Sequence, residues 1–392
     1  MNQLMQPLGI NIQAGTSFGW GIVGLNLALE FCRGGRVHPI LTLPPGELDL
    51  DPSTQLTFDK AEKGWDSILC FNEKFPGQPF IVDFPVLYCG GNQFQHRLSV
   101  GTSVSSYSIT VFENSNLGAH NPQEKSFFKK ILAGSRWNAR ILEAQGFENV
   151  EVWNQGVDTA LFSPEGDEYT DDGVFRVFSG GKLEFRKGQD LVIAAFRRFR
   201  ELHNDAVLVT AWHSPWMDLA SSFVRSRWVS PPVKQNDGYI NVSQWLNAEG
   251  IPPHSVLDLG ALPNREMPAA IRQCDVALFP SRAEGATNLV AMETIACGVP
   301  TIVSANTGHL DLLNDIPALQ FQQQYSVPSS HLNDGTEGWG ESDVEEMVQV
   351  LEDVYQNRDD SRKQAKEAVS AIQTRNWNHR TAALEEACFG KA

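Results

Sequence analysis

The stretch Phe279-Pro280-Ser281-Arg282-Ala283-Glu284-Gly285-Ala286-Thr287-Asn288-Leu289-Val290-Ala291-Met292-Glu293-Thr294-Ile295-Ala296-Cys297-Gly298-Val299-Pro300 decides the fold. The apolar run Val276-Ala277-Leu278-Phe279 that leads into it has the character of a parallel strand buried on both faces. Gly298 suits the position just beyond a helix, and Pro300 blocks its continuation. The order is therefore strand, small-residue turn, helix. Backbone N–H groups of such a turn gather at the carboxyl edge of the sheet. That edge is where open α/β sheets take ligands, and a helix N-terminus favours anions. The turn offers donors for phosphate, while Glu284 and Glu293 offer acceptors for hydroxyls. A sugar nucleotide meets both demands.

The same alternation extends outward on both sides. Upstream, 174–179 reads as a strand, Gly180-Gly181-Lys182-Leu183-Glu184-Phe185-Arg186-Lys187-Gly188 as a glycine-rich basic turn, and 189–200 as a helix. Strands follow at 206–212 and 255–260, with one or two helices across 214–250 and a helix over 264–274. Downstream come a strand at 301–304 and helices at 343–355, 361–374 and 377–388. The first half opens with a strand at 8–12, the turn Gly19-Trp20-Gly21 and a helix running to Gly34-Gly35. Those glycines admit close approach of a ligand as readily as an ordinary tight turn, and their spacing is not the dinucleotide fingerprint.

Further strands are expected at 37–43, 67–71, 79–88 and 150–153, with a loop at 47–64. Within that loop, Asp49-Leu50-Asp51 reads as solvated turn residues rather than a metal site. The strand at 108–112 delivers Glu113 and Asn114 to its carboxyl end. Ser135 is placed to cap a helix over 136–144. The basic, aromatic segment 125–132 reads as an amphipathic helix, with a weak peripheral membrane contact as its second reading. The acidic, aperiodic segment 163–173 reads as a linker. The expectation is two doubly wound α/β domains, residues 1–162 and 163–375, with a C-terminal helix at about 376–392 completing the first.

Bulk properties narrow the function. A chain of 392 residues is too long for one ordinary core. The formal charge of −16 argues against nucleic acid as a partner, since phosphate backbones demand a basic face. An anionic substrate must then be met by local cations and backbone dipoles. The 6 cysteines are scattered without a C-x-x-C pair, so they read as free thiols of a reducing compartment. The first residues lack the pattern of a signal peptide, and no run of about 18 apolar residues exists. A cytoplasmic protein, with any membrane contact peripheral at the inner face, is the expectation.

Four signatures in order carry a resemblance to the retaining glycosyltransferases of family 4. Trp153-Asn154-Gln155-Gly156-Val157-Asp158 through Phe162-Ser163-Pro164 resembles the interdomain N-G-V-D…F-x-P segment, with Gln155 inserted. Gly181-Lys182 through Lys187-Gly188 resembles the G-R-x-x-x-x-K-G phosphate motif, with Lys182 in the arginine's place. Residues 257–275 resemble the strand and helix that carry the base-binding loop. Glu284 and Glu293 resemble the paired glutamates, with eight intervening residues where the family usually has seven. The segment Ser304-Ala305-Asn306-Thr307-Gly308-His309-Leu310-Asp311 replaces a usual G-G-x-x-E stretch, and Phe112-Glu113-Asn114 stands where a histidine often lies.

The resemblance implies a GT-B fold, two Rossmann-like domains facing a deep cleft that opens and closes on its donor. It implies Lys182, Lys187, the glycines at 19, 21 and 181, Trp20, and the turn Gly285, Ala286, Thr287, Asn288 and Leu289 around a donor diphosphate. Glu293 would hold ribose, Glu284 the transferred sugar, and Leu262 and Asn264 the base. Glu284, Lys187, Lys182 and Glu113 would act in catalysis, Glu113 by positioning the acceptor hydroxyl or, equally, by capping a helix. No metal and no cofactor are expected. UDP-glucose is the expected donor, with GDP-mannose as alternative, and the acceptor a saccharide or lipid-linked saccharide of exopolysaccharide or glycoconjugate synthesis. A nucleotide-sugar epimerase and a non-catalytic sugar-nucleotide-binding protein are the rival readings. His213 and His309 read first as hydrogen-bonded structural residues.

Overall fold

The computed structural model describes residues 5–34, 36–92, 100–118, 125–166, 169–213, 216–330 and 334–390. Residues 1–4, linker residues 167 and 168, and the last two of the expected C-terminal helix lie outside them. The chain forms two units, Met1–Gly156 with Arg375–Ala392, and Val157–Thr374. The division falls at Gly156/Val157, ahead of the expected 162/163 boundary, because Val157 and Phe162 are buried in the second unit's core.

The first unit is built on a six-stranded parallel sheet. Its order is Val37–Leu41, Gln6–Asn11, Val86–Gly90, Ser106–Thr110, Phe128–Ala133, Val150–Val152. Helix Gly19–Gly34 buries Ile22, Leu25, Leu27, Leu29 and Phe31. The helix Arg136–Ala144 begins as expected, with Ser135 Oγ accepting from Asn138 N at 3.1 Å. The helix Trp377–Phe389 closes this unit. Tyr107 donates its hydroxyl to the Cys388 carbonyl at 2.5 Å, and Trp153 Nε1 donates to the Arg380 carbonyl at 2.8 Å.

Four expectations for this unit are corrected. The loop at 47–64 and the strand at 67–71 are largely one helix, Pro52–Lys74. Asp51 caps it, accepting from Ser53 N at 2.9 Å and Thr54 N at 3.2 Å, and Pro52 opens it. Only Phe58, Ala61 and Ile68 are buried along it, so its periodicity is faint. The strand at 79–88 is split into Ile81–Val82 and Val86–Gly90. The helix expected at 125–132 is instead the interior strand Phe128–Ala133, which buries Phe128, Ile131, Leu132 and Ala133. Its cations are engaged beside the sheet: Lys129 lies 5.9 Å from the Tyr107 ring centroid and Lys130 pairs with Glu151 at 2.5 Å.

The second unit carries another parallel sheet. Its order is Val256–Asp258, Ala206–Ala211, Phe175–Gly180, Val276–Phe279, Thr301–Ser304, Leu319–Phe321. Alternate residues of Val276–Phe279 serve opposite layers. Val276 and Leu278 pack with Leu191, Phe199, Met347 and Leu351. Ala277 and Phe279 pack with Met292, Ile295, Ala368 and Ile372. This is the period of a strand clothed by helices on both faces. Each fully buried phenylalanine, such as Phe178 and Phe196, contributes about 1.5–3 kcal/mol of burial. The short helix His309–Asp315 and the antiparallel pair Gln324–Ser326 and Gly340–Ser342 had no counterpart in the sequence pattern.

Candidate active site

The turn after Val276–Phe279 is buried throughout 281–288. It ends at Asn288, which sits at φ 58° and caps the helix Leu289–Ala296. Thr307, on the neighbouring segment, has φ 37°. Such backbone costs about 1–3 kcal/mol in a residue other than glycine and persists only where contacts impose it. Here the contacts are plain. Asn288 Nδ2 lies 3.2 Å from Glu284 Oε1 and 3.1 Å from His309 Nε2. Thr307 Oγ1 accepts from Glu284 N at 2.8 Å, and Gly308 N donates to the Glu284 carbonyl at 2.9 Å. A Cβ on Gly308 would stand 2.1 Å from the Ala286 carbonyl oxygen, so only glycine fits beneath the turn.

His309 is fully buried under Asn288. Its Nδ1 lies 3.2 Å from the Ser304 carbonyl oxygen, which assigns the proton to Nδ1 and leaves Nε2 to accept from Asn288. Burial pushes its pKa down to about 4, against the pull of Glu284. The ring is neutral at pH 7. The structural reading of His309 therefore describes its bonding, yet those bonds support the turn directly.

The basic turn at 180–188 packs against this segment. Gly188 has φ 73°, and a Cβ there would lie 2.2 Å from the Pro280 carbonyl oxygen. That approach brings Lys187 Nζ to 2.8 Å from Glu284 Oε1 and 3.0 Å from Oε2. Ser281 Oγ donates to Oε1 at 2.6 Å, and Arg186 Nη1 to Oε2 at 3.2 Å. Burial raises the Glu284 carboxyl, but Lys187 and Arg186 outweigh it and hold the pKa at about 2. Burial likewise lowers the Lys187 ammonium, opposed by Glu284. Lys182 is partly exposed, 3.2 Å from Glu184 Oε2 and 6.0 Å from the Trp216 ring centroid.

Glu293 lies one turn into the helix Leu289–Ala296 and is 4% exposed. Burial raises its pKa to about 8, opposed by a hydrogen bond from Asn264 and reinforced by Asp158. The acid is therefore mostly protonated at neutral pH. Leu262 packs against the same core as Met292.

The predicted residues thus gather in two groups of the second unit. Lys187, Glu284 and Asn288 make one, with Gly181, Gly285, Ala286, Thr287 and Leu289 on the same two loops. Asn264 and Glu293 make the other. Gly19, Trp20, Gly21 and Glu113 belong to the first unit. There a Cβ on Gly21 would approach the Gly15 carbonyl oxygen at 3.0 Å, which alone accounts for that glycine. Glu113 N donates to Asn92 Oδ1 at 2.9 Å. The sequence reading missed Arg186, Arg282, Asp190, Thr307 and Glu341. Two arginines beside turn glycines were the visible signal, but their partners lie up to about a hundred residues away.

Residues 167–316 match the family model of Glycosyl transferases group 1. Residues 263–384 match the model of Family 4 Glycosyltransferase in conflict systems. A sucrose-phosphate synthase from Thermosynechococcus elongatus has the same fold, with TM-score 0.62 at 16% identity, covering 97% of this chain and 98% of that one. The chain is a glycosyltransferase of GT-B fold. Anabaena HepE, solved in complex with UDP, also shares the glycosyltransferase's fold, with TM-score 0.58 at 12% identity over 98% of this chain and 99% of its own. So does the E. coli structure described as trehalose-6-phosphate bound with UDP-2-fluoro glucose, with TM-score 0.60 at 11% identity over 97% and 98%. No curated protein matches the glycosyltransferase in sequence. Among its described residues, no helix is long and apolar enough to cross a membrane.

Proposed function

We propose that the glycosyltransferase is a retaining, metal-independent enzyme that moves glucose from UDP-glucose to a saccharide or lipid-linked saccharide in polysaccharide or glycoconjugate synthesis. The observation that carries this reading is the buried Lys187–Glu284 pair, 2.8 Å apart, at the turn that ends the Val276–Phe279 strand. A cation and an anion at one sheet edge suit a ligand with phosphate on one side and hydroxyls on the other. Without a donor each neutralises the other. With a donor, Lys187 turns to the diphosphate and Glu284 to the sugar hydroxyls.

The leaving diphosphate gains charge in the transition state. Lys187, Lys182 and the amides of 286–289 supply donors where that charge develops, which is where they accelerate most. The anomeric carbon passes through an oxocarbenium-like state, and retention follows if the leaving phosphate takes the acceptor proton on the same face. Glu293 and Asn264 take the nucleoside, with Leu262 beside the base. The UDP assignment is supported by HepE, solved with UDP, and by the E. coli structure bound with UDP-2-fluoro glucose.

Calorimetry with UDP, GDP and ADP, followed by assay of diphosphate release from the matching sugar nucleotide, tests the proposal. Lys187→Ala should weaken the preferred diphosphate at least roughly tenfold, the scale of one lost charge-assisted contact. Unchanged affinity would overturn the phosphate assignment.

A further inference from the structure

Arg282 is wholly buried, yet it touches neither predicted group directly. All five of its side-chain N–H groups have an acceptor. Nη1 donates to the Phe185 carbonyl at 2.6 Å and to Asp190 Oδ1 at 2.8 Å. Nη2 donates to Asp190 Oδ2 at 2.8 Å and to Glu341 Oε2 at 2.7 Å, and Nε to the same Glu341 oxygen at 3.0 Å. The guanidinium lies 3.7 Å from the Phe185 ring centroid. Its backbone N donates to the Arg186 carbonyl at 2.6 Å. Arg186 answers in the opposite direction, with Nη1 donating to the Ala283 carbonyl at 2.7 Å. Two arginines thus cross between the two loops.

This crossing matters because the phosphate loop cannot hold itself. Phe185–Lys187 is a single 3-10 turn, and the only intrahelical support such a piece has is one or two bonds. Both carbonyls that precede Lys187, those of Phe185 and Arg186, are fixed by residue 282. Asp190, in the first turn of the helix Gln189–Leu202, is fixed by it too. A buried ion pair adds little net stability over a well-packed apolar substitute, so its use here is geometric. A lysine at 282 could keep the charge but not the five-donor fork.

We propose that Arg282 is a positioning residue for the donor diphosphate: through the Phe185 carbonyl and Asp190 it sets where Lys187 stands, without touching the donor. The inference rests on the donor reading above. It predicts a selective defect. Arg282→Lys should weaken the preferred nucleoside diphosphate roughly tenfold, while its parent nucleoside, which lacks phosphate, binds the full chain as before. Both affinities are read by calorimetry, the nucleoside by competition, with a thermal melt on each variant. Glu341→Gln, which removes charge from the partly exposed partner and leaves Asp190 in place, should shift the diphosphate in the same direction by a smaller factor and serves if Arg282→Lys does not fold. Equal weakening of diphosphate and nucleoside would show general loosening and overturn the positioning role, as would no change in either. If the unaltered chain binds none of UDP, GDP or ADP, the donor reading falls and this inference with it.

Discussion

Glu293→Gln offers a demanding test, because the native structure disfavours the very charge that neutral pH imposes. The carboxyl is 4% exposed and its pKa is raised to about 8 from an ordinary 4.5, chiefly by burial. Between those values the native state holds a proton that the unfolded chain has released. Stability therefore falls as pH rises through that window, by about 1.4 kcal/mol per pH unit. The whole window is worth about 5 kcal/mol. Glutamine keeps the shape and neutrality of the protonated acid and has no proton to lose. The variant should thus be about 1 kcal/mol more stable than the parent at pH 5.5 and roughly 4 kcal/mol more stable at pH 8. For a unit of this size that is a gap in Tm widening by about 6–12 °C. Paired thermal melts of full chain and variant, without nucleotide, at half-unit steps from pH 5.5 to 8.5 measure it. A gap that stays constant across that range, or narrows upward, would refute the argument that Glu293 is held protonated.

His309 behaves in the mirror sense. Its native pKa of about 4 lies below the ordinary 6.5, so its contribution is fully present above 6.5 and is lost as pH falls toward 4. The ring should titrate near 4 by carbon-detected NMR, and a midpoint at or above 6.5 would remove the neutral tautomer from the account. Gly308→Ala should cost about 1–3 kcal/mol or more through overpacking against the Ala286 carbonyl, seen as a lower Tm; an unchanged Tm would mean the turn can shift freely.

Much of this was legible in the sequence because it depends on neighbours along the chain. Val276–Phe279 announces a buried strand, and Gly298, with φ 75°, ends the helix as its position suggests. Glycines at 181 and 188 mark a real turn for the same local reason. Misreadings arose where pattern was thin or ambiguous. Pro52–Lys74 buries too few apolar residues to show a period, and the two lysines in Phe128–Ala133 mimic an amphipathic helix. The site was legible in part. Lys187 and Glu284 are 97 positions apart, and nothing in either segment states that they pair. Arg282 was harder still, since an arginine beside a turn ordinarily faces water. The raised pKa of Glu293 follows from enclosure by several elements, which no spacing encodes.

One feature of the first unit bears on how the chain is made. Tyr107 and Trp153 find partners on the helix Trp377–Phe389, and the Tyr107 bond spans 281 positions of sequence. The contiguous segment Val157–Thr374 leaves the ribosome before that helix does. Domains generally fold as they emerge, N-terminal first. Here the unit that begins first is completed last, and closing so long a loop is entropically slow. Until that helix has been made, Tyr107 and Trp153 lack these partners, so the first unit cannot be completed before the whole of the second has been synthesised.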